Sequence, residues 1–116
     1  MALAHPKRAL LLVMMEPEEG YADELNAWYD EEHLPERLSC PGFIAARRFE
    51  LLESSPVGQP RYLALYDLES SEVLSSEAYL AMVPPSAWSK RLLPHVKVTR
   101  NVYTEITKQP SRDGGN

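Results

Sequence analysis

A chain of 116 residues, 44% hydrophobic and 25% charged, has the size and composition of one soluble globular domain. Its formal net charge of -5 gives no electrostatic reason to approach nucleic acid or an anionic membrane, so neither is expected as a partner. The apolar run from Ala9 to Met15 is too short to span a bilayer, and Met1 to Arg8 lacks the long apolar stretch of a secretory signal, so a cytoplasmic location is expected.

Arg8 to Met15 reads as a strand apolar on both faces, with Leu10, Leu12 and Met14 pointing one way and Leu11, Val13 and Met15 the other. Glu16-Pro17-Glu18-Glu19-Gly20 breaks it, and Tyr21, Leu25 and Trp28 then form the apolar stripe of a helix from Ala22 to His33. Leu34 precedes a proline and is biased away from helical dihedrals, which predicts a break there, one more turn started by Pro35, and His33 at a helix end. Cys40-Pro41-Gly42 is a turn. Cys40 is the only cysteine, so an internal disulfide and a thiolate metal cluster are both excluded.

Phe43 to Leu52 reads as the second strand, Glu53 to Pro60 as a polar loop, and Arg61 to Leu68 as a third strand alternating Tyr62, Ala64 and Tyr66 with Leu63 and Leu65. Glu69-Ser70-Ser71 offers caps to a helical segment, and Pro84-Pro85-Ser86 separates it from a shorter one carrying Trp88, Leu92 and Leu93. Val96 to Thr107 is the last strand, and the tail from Gln109 to Asn116, devoid of apolar residues, is expected to be disordered. The order strand, helix, strand, strand, helix, strand is that of an α+β ferredoxin-like fold, βαββαβ, with a four-stranded antiparallel sheet in a single domain over 1–108. Helices cover one face of such a sheet. The other is apolar as well, which predicts a homodimer packed through sheet faces.

These residues resemble the dimeric α+β barrel superfamily, in particular its EthD-like branch. The resemblance rests on Trp28-Tyr29-Asp30-Glu31-Glu32-His33-Leu34-Pro35-Glu36-Arg37, on Cys40-Pro41-Gly42-Phe43, and on Pro60-Arg61-Tyr62-Leu63-Ala64-Leu65-Tyr66-Asp67-Leu68. It implies a dimer of ferredoxin-like subunits in which the histidine of the first motif lines a cavity and acts as acid or base. It does not settle the chemistry, because the superfamily spans decarboxylases, dehydratases, cyclases, isomerases, haem enzymes and cofactor-free oxygenases.

The residues point to His33 independently. An imidazole titrates near neutrality, and on an α-helix Asp30 at i−3 and Tyr29 at i−4 lie on its side, so Asp30 would orient the ring and raise its basicity. The bland alternative is a histidine capping the broken helix end. Asn26, Asp30, His33 and Arg37 draw one polar stripe, whereas Glu31, Glu32 and Glu36 read as a solvated face and Trp28 as core. Tyr62, Tyr66 and Tyr103 are predicted on the sheet face opposite the helices, with Arg48 or Arg47 beside them. Phenols and a guanidinium there suit either a phenolic or carboxylated ring or a dimer interface, and Trp88 joins the candidate ligand contacts.

His5, His33 and His95 are isolated, so no metal site is expected, and a haem ligand would have to be a lone His33 or His95 without a supporting motif. No phosphate-cradling loop, G-x-S-x-G turn or dinucleotide fingerprint is present, and no cofactor is expected. Two readings follow: a cofactor-free enzyme moving a proton on a small aromatic or enol compound, as a decarboxylase, dehydratase, isomerase or cyclase does, or a non-catalytic binding or stress-response module. A cavity reaching His33 separates the first from the second.

Overall fold

The computed structural model describes residues 7–108, so the expected tail lies outside the described residues. Its elements are β1 (Ala9–Pro17), α1 (Ala22–Trp28), α2 (Leu34–Leu38), β2 (Phe43–Glu50), β3 (Tyr62–Leu68), α3 (Glu77–Met82), α4 (Ala87–Leu92) and β4 (Val96–Thr104). Single tight turns at Ser71–Ser75 and Leu93–His95 precede α3 and β4. The four strands form one antiparallel sheet in the order β2-β3-β1-β4, the ferredoxin-like α+β arrangement the element order predicts.

The most apolar strand takes the centre, because a central strand is covered by neighbours on both edges and by packing on both faces. Register then sorts the side chains. Leu11 lies opposite Tyr66, Val13 opposite Ala64 and Met15 opposite Tyr62, all buried beneath Leu25, Trp28, Tyr29 and Leu92 of the helices. Leu10, Leu12 and Met14 of β1, with Leu63 and Leu65 of β3, make the other face, which no helix covers.

The register corrects one expectation. Tyr62 and Tyr66 lie under the helices, and Arg48, opposite Ala64, lies there too, whereas Tyr103, opposite Leu10, is on the bare face and half exposed. Ala64 between the two tyrosines leaves room for the large rings of α1, which a leucine at that position would fill.

A second correction concerns the helix. It does not break at Leu34, whose dihedrals are helical (φ -64°, ψ -47°), and His33 lies inside a continuous helical run rather than at its end. Tyr29–His33 is a single π-helical turn, in which the Leu34 N–H donates to the Tyr29 carbonyl five residues back. Proline lacks the N–H of an i→i−4 bond and its ring crowds that carbonyl. Widening the turn just before Pro35 accommodates both problems without ending the helix.

Gly42 ends the loop from α2 into β2 with φ +95°, and its carbonyl accepts the Glu69 N–H at 2.9 Å. A side chain there would overlap Val73. Gly42→Ala is therefore expected to destabilise the fold by about 3 kcal/mol, combining the cost of positive φ with overpacking, as read from chemical denaturation.

Candidate functional site

The π-turn builds the site. In this wider turn successive residues advance by a smaller angle than in an α-helix, so residues five apart come face to face. The His33 ring accordingly stacks on Trp28, with centroids 4.3 Å apart and planes 19° from parallel. Two further rings meet it edge-on: Tyr29 at 5.4 Å and Tyr66 at 6.4 Å, both nearly perpendicular.

The same geometry removes Asp30 from the imidazole. Asp30 is exposed, and among the described residues the His33 nitrogens have no protein hydrogen-bond partner. The expected orienting carboxylate is thus absent from the ring. The shift in its basicity is also opposite to that expected: burial, reinforced by the Arg37 charge, pushes the His33 pKa down to about 3. The imidazole is neutral at physiological pH.

A cavity of about 190 Å³ opens beside it, walled by Val13, Met15, Trp28, His33 and Tyr66. Pro84, Pro85 and Ser86 border it, and Glu36, Arg37 and Arg100 bring charge to it. The Tyr66 hydroxyl is buried without a hydrogen-bond partner among the described residues. Burial, and next the neighbouring Tyr29 phenol, push its pKa far up, so it remains a protonated donor. Tyr29, buried beside it, has its pKa pushed up to about 12 by burial against the opposing pull of Arg48, and its hydroxyl donates to Met15 Sδ at 3.3 Å.

Tyr29 divides the polar groups under the helices. On its far side Arg48 stacks over the Tyr29 ring at 4.1 Å and the Tyr62 ring at 5.2 Å, and donates from Nη1 to Asn26 Oδ1 at 2.7 Å. Tyr62 and Arg48 are therefore neighbours of the cavity wall rather than lining. Trp88 is elsewhere too, donating through Nε1 to Glu24 Oε2 at 3.0 Å, and Tyr103 borders a separate groove with Leu10 and Asp67 on the bare face. Of the expected group, the structure brings His33, Tyr29 and Tyr66 together and leaves Asp30, Tyr103 and Trp88 apart.

One residue that braces the cavity border is hidden in the sequence by its charge. Glu32 reads as solvated, yet its Oε2 accepts from Trp28 Nε1 at 3.0 Å and from Ser86 Oγ at 2.6 Å, and Ser89 Oγ also accepts from Trp28 at 3.1 Å. This network ties the Pro84–Ser86 border of the cavity to the indole on which His33 stacks. Its only sequence signal is Ser86 as an N-cap; the partner depends on the π-turn. His95 ends the tight turn before β4, against Glu18 at 3.0 Å and Tyr21 at 4.2 Å, and does not line the cavity. Among the described residues no three histidine, cysteine or acidic side chains gather as a metal site, and no helix is long and apolar enough to cross a membrane.

The sequence matches no protein-family model and no curated protein. Solved structures do resemble it. A dimeric ferredoxin-like protein from an uncultured marine organism superposes with a TM-score of 0.64 at 18% identity, over 91% of this chain and 93% of that one. SnoaB, a cofactor-independent oxygenase from Streptomyces nogalater, gives 0.62 at 10% identity over 90% and 99% of the two chains. An ethyl tert-butyl ether D (EthD) family protein from Bacillus halodurans C-125 gives 0.57 at 13% identity over 82% and 96%. At these identities the shared property is the fold: this chain has a ferredoxin-like α+β fold, with an EthD family protein among its structural counterparts.

Proposed function

We propose that the chain is a small enzyme that acts on a small aromatic or enol-type compound in the cavity under the π-turn, by proton transfer through its own side chains. The observation that carries this reading is the cavity itself, which reaches a neutral imidazole and an unpartnered phenol at once. A non-catalytic module with a packed interior would have neither. The volume of about 190 Å³ is close to a cavity that holds one benzene ring and below the usual range for larger ligands, which favours a single-ring compound.

In this reading His33 holds or removes an acidic proton, and Tyr66 donates its O–H to the oxygen on which negative charge develops. A base with so low a pKa takes a proton only when the conjugate anion is stabilised, and Tyr66 with Arg37 supplies that stabilisation. An anion in the cavity also offsets Arg37, one of the two causes that hold the imidazole neutral. The functional unit is a homodimer formed through the bare sheet faces, supported by the apolar character of Leu10, Leu12, Met14, Leu63 and Leu65 and by the dimeric ferredoxin-like counterpart.

The test begins with a melting screen of single-ring aromatic acids and enols, since a ligand of the folded state raises its midpoint by mass action. Compounds that bind are then assayed for turnover. His33→Ala should lower the rate by at least about a hundredfold with the dimer intact by sedimentation, in line with the usual contribution of a positioned acid or base. Turnover unchanged in the variant would remove His33 from the chemistry.

A further inference from the structure

We propose that the ligand of this cavity is a planar organic oxyanion on a single ring, selected by Arg37 and Arg100; the inference rests on the proposed ligand role of the cavity and adds the charge of what enters it. Two guanidiniums face the cavity against one carboxylate, Glu36, in a chain whose overall charge is -5. Glu36 is paired with Arg37 and Glu32 is bonded to Ser86 at the border, so the positive charge left unpaired at the cavity is that of Arg100.

The two arginines are held differently. Arg37 donates from Nη1 to Glu36 Oε1 at 2.8 Å, lies over the Tyr79 ring at 5.5 Å, and has a side chain only 13% exposed. It is fixed and largely desolvated, so its charge acts strongly on whatever occupies the cavity. Arg100 stands on the edge strand β4 across from Val13 and has no ion-pair partner among the described residues. It is exposed between Val98 and Val102. A free guanidinium and a fixed one at the same cavity suit the charged end of a ligand whose ring packs against its aromatic wall. Carboxylates and ring oxyanions share the planar, delocalised charge that a guanidinium fork matches.

Calorimetric titration of the full chain at neutral pH and low salt, with benzoate, pentafluorophenolate and the neutral isostere benzamide, tests this. Benzoate or pentafluorophenolate is expected to bind at least about tenfold tighter than benzamide, the order of one charge-assisted contact. The tighter of the two tells the carboxylate from the ring-oxygen form. Arg100→Gln, chosen because the side chain is exposed and its loss leaves the core untouched, should weaken the anion about tenfold and leave benzamide unchanged. Equal binding of anion and isostere, or an Arg100→Gln variant that binds the anion as well as the parent, overturns the anion inference while the cavity stands as a ligand site. Failure of all three compounds to bind overturns both.

Discussion

Trp28→Ala is expected to destabilise the folded chain by about 4 kcal/mol, the usual cost of deleting a fully buried indole together with the cavity it leaves. Trp28 is 1% exposed and carries more of the site than any other side chain. Its ring is the platform for His33 at 4.3 Å and packs edge-on to Tyr29 at 4.9 Å, while its Nε1 is shared by Glu32 and Ser89. Against a domain stability of roughly 5–15 kcal/mol such a loss is large, and the thermal midpoint should fall by roughly 15 °C. Trp28→Phe separates the two roles of the ring. It keeps a stacking surface but leaves Glu32 bonded to Ser86 alone, which should destabilise by about 1 kcal/mol and loosen the Pro84–Ser86 border without emptying the core.

Acidification should reveal His33 as a half-buried base that stays neutral. Its folded pKa of about 3 lies below the ordinary 6.5, so between those values the unfolded chain binds a proton that the folded chain excludes. Stability attributable to this group is therefore complete above pH 6.5 and is lost progressively as pH falls toward 3. From about pH 7 to about pH 4 the loss amounts to about 3 kcal/mol for a shift of this size. Carboxylates titrate in the same window, so the comparison that isolates the histidine is with His33→Gln. Denaturation of both proteins across this range should show the parent losing about 3 kcal/mol more than the variant. Parallel curves would mean that His33 is solvated and titrates normally.

Much of the architecture is legible in the residues themselves. The period-two runs at Ala9–Met15 and Tyr62–Leu68, the turn at Cys40-Pro41-Gly42 and the Ser70 cap each specify a local conformation that the tertiary structure adopts. What alternation does not specify is which face of a strand the helices cover. Tyr62, Ala64 and Tyr66 look more polar than Leu63 and Leu65, yet they are the buried set, because the small Ala64 leaves space beneath the helices and the aromatic rings bury large apolar area. The central strand β1, apolar on both faces, gives no help in choosing.

The site is legible at His33 and Tyr66 and not in their relations. Spacing rules for α-helices put Asp30 beside His33 and leave Glu32 in solvent; one π-turn reverses both. The proline that forces the turn is visible, but a break and a widened turn are alternative responses to it, and packing of Trp28 and Tyr29 against the sheet keeps the run helical. The distinction matters chemically. An orienting carboxylate would give a histidine titrating near neutrality, whereas the stacked, desolvated ring beside Arg37 is a weak base whose proton affinity depends on what shares its cavity.

Nitrogen-15 resonances of the His33 ring, followed by NMR through an acid titration with and without saturating benzoate, test that claim most directly. The free protein should show a neutral imidazole from about pH 8 down to about pH 4, and benzoate should perturb the ring and raise its midpoint by offsetting Arg37. A midpoint near the ordinary 6.5 that benzoate leaves unmoved would contradict both the neutral base and its place in the ligand cavity.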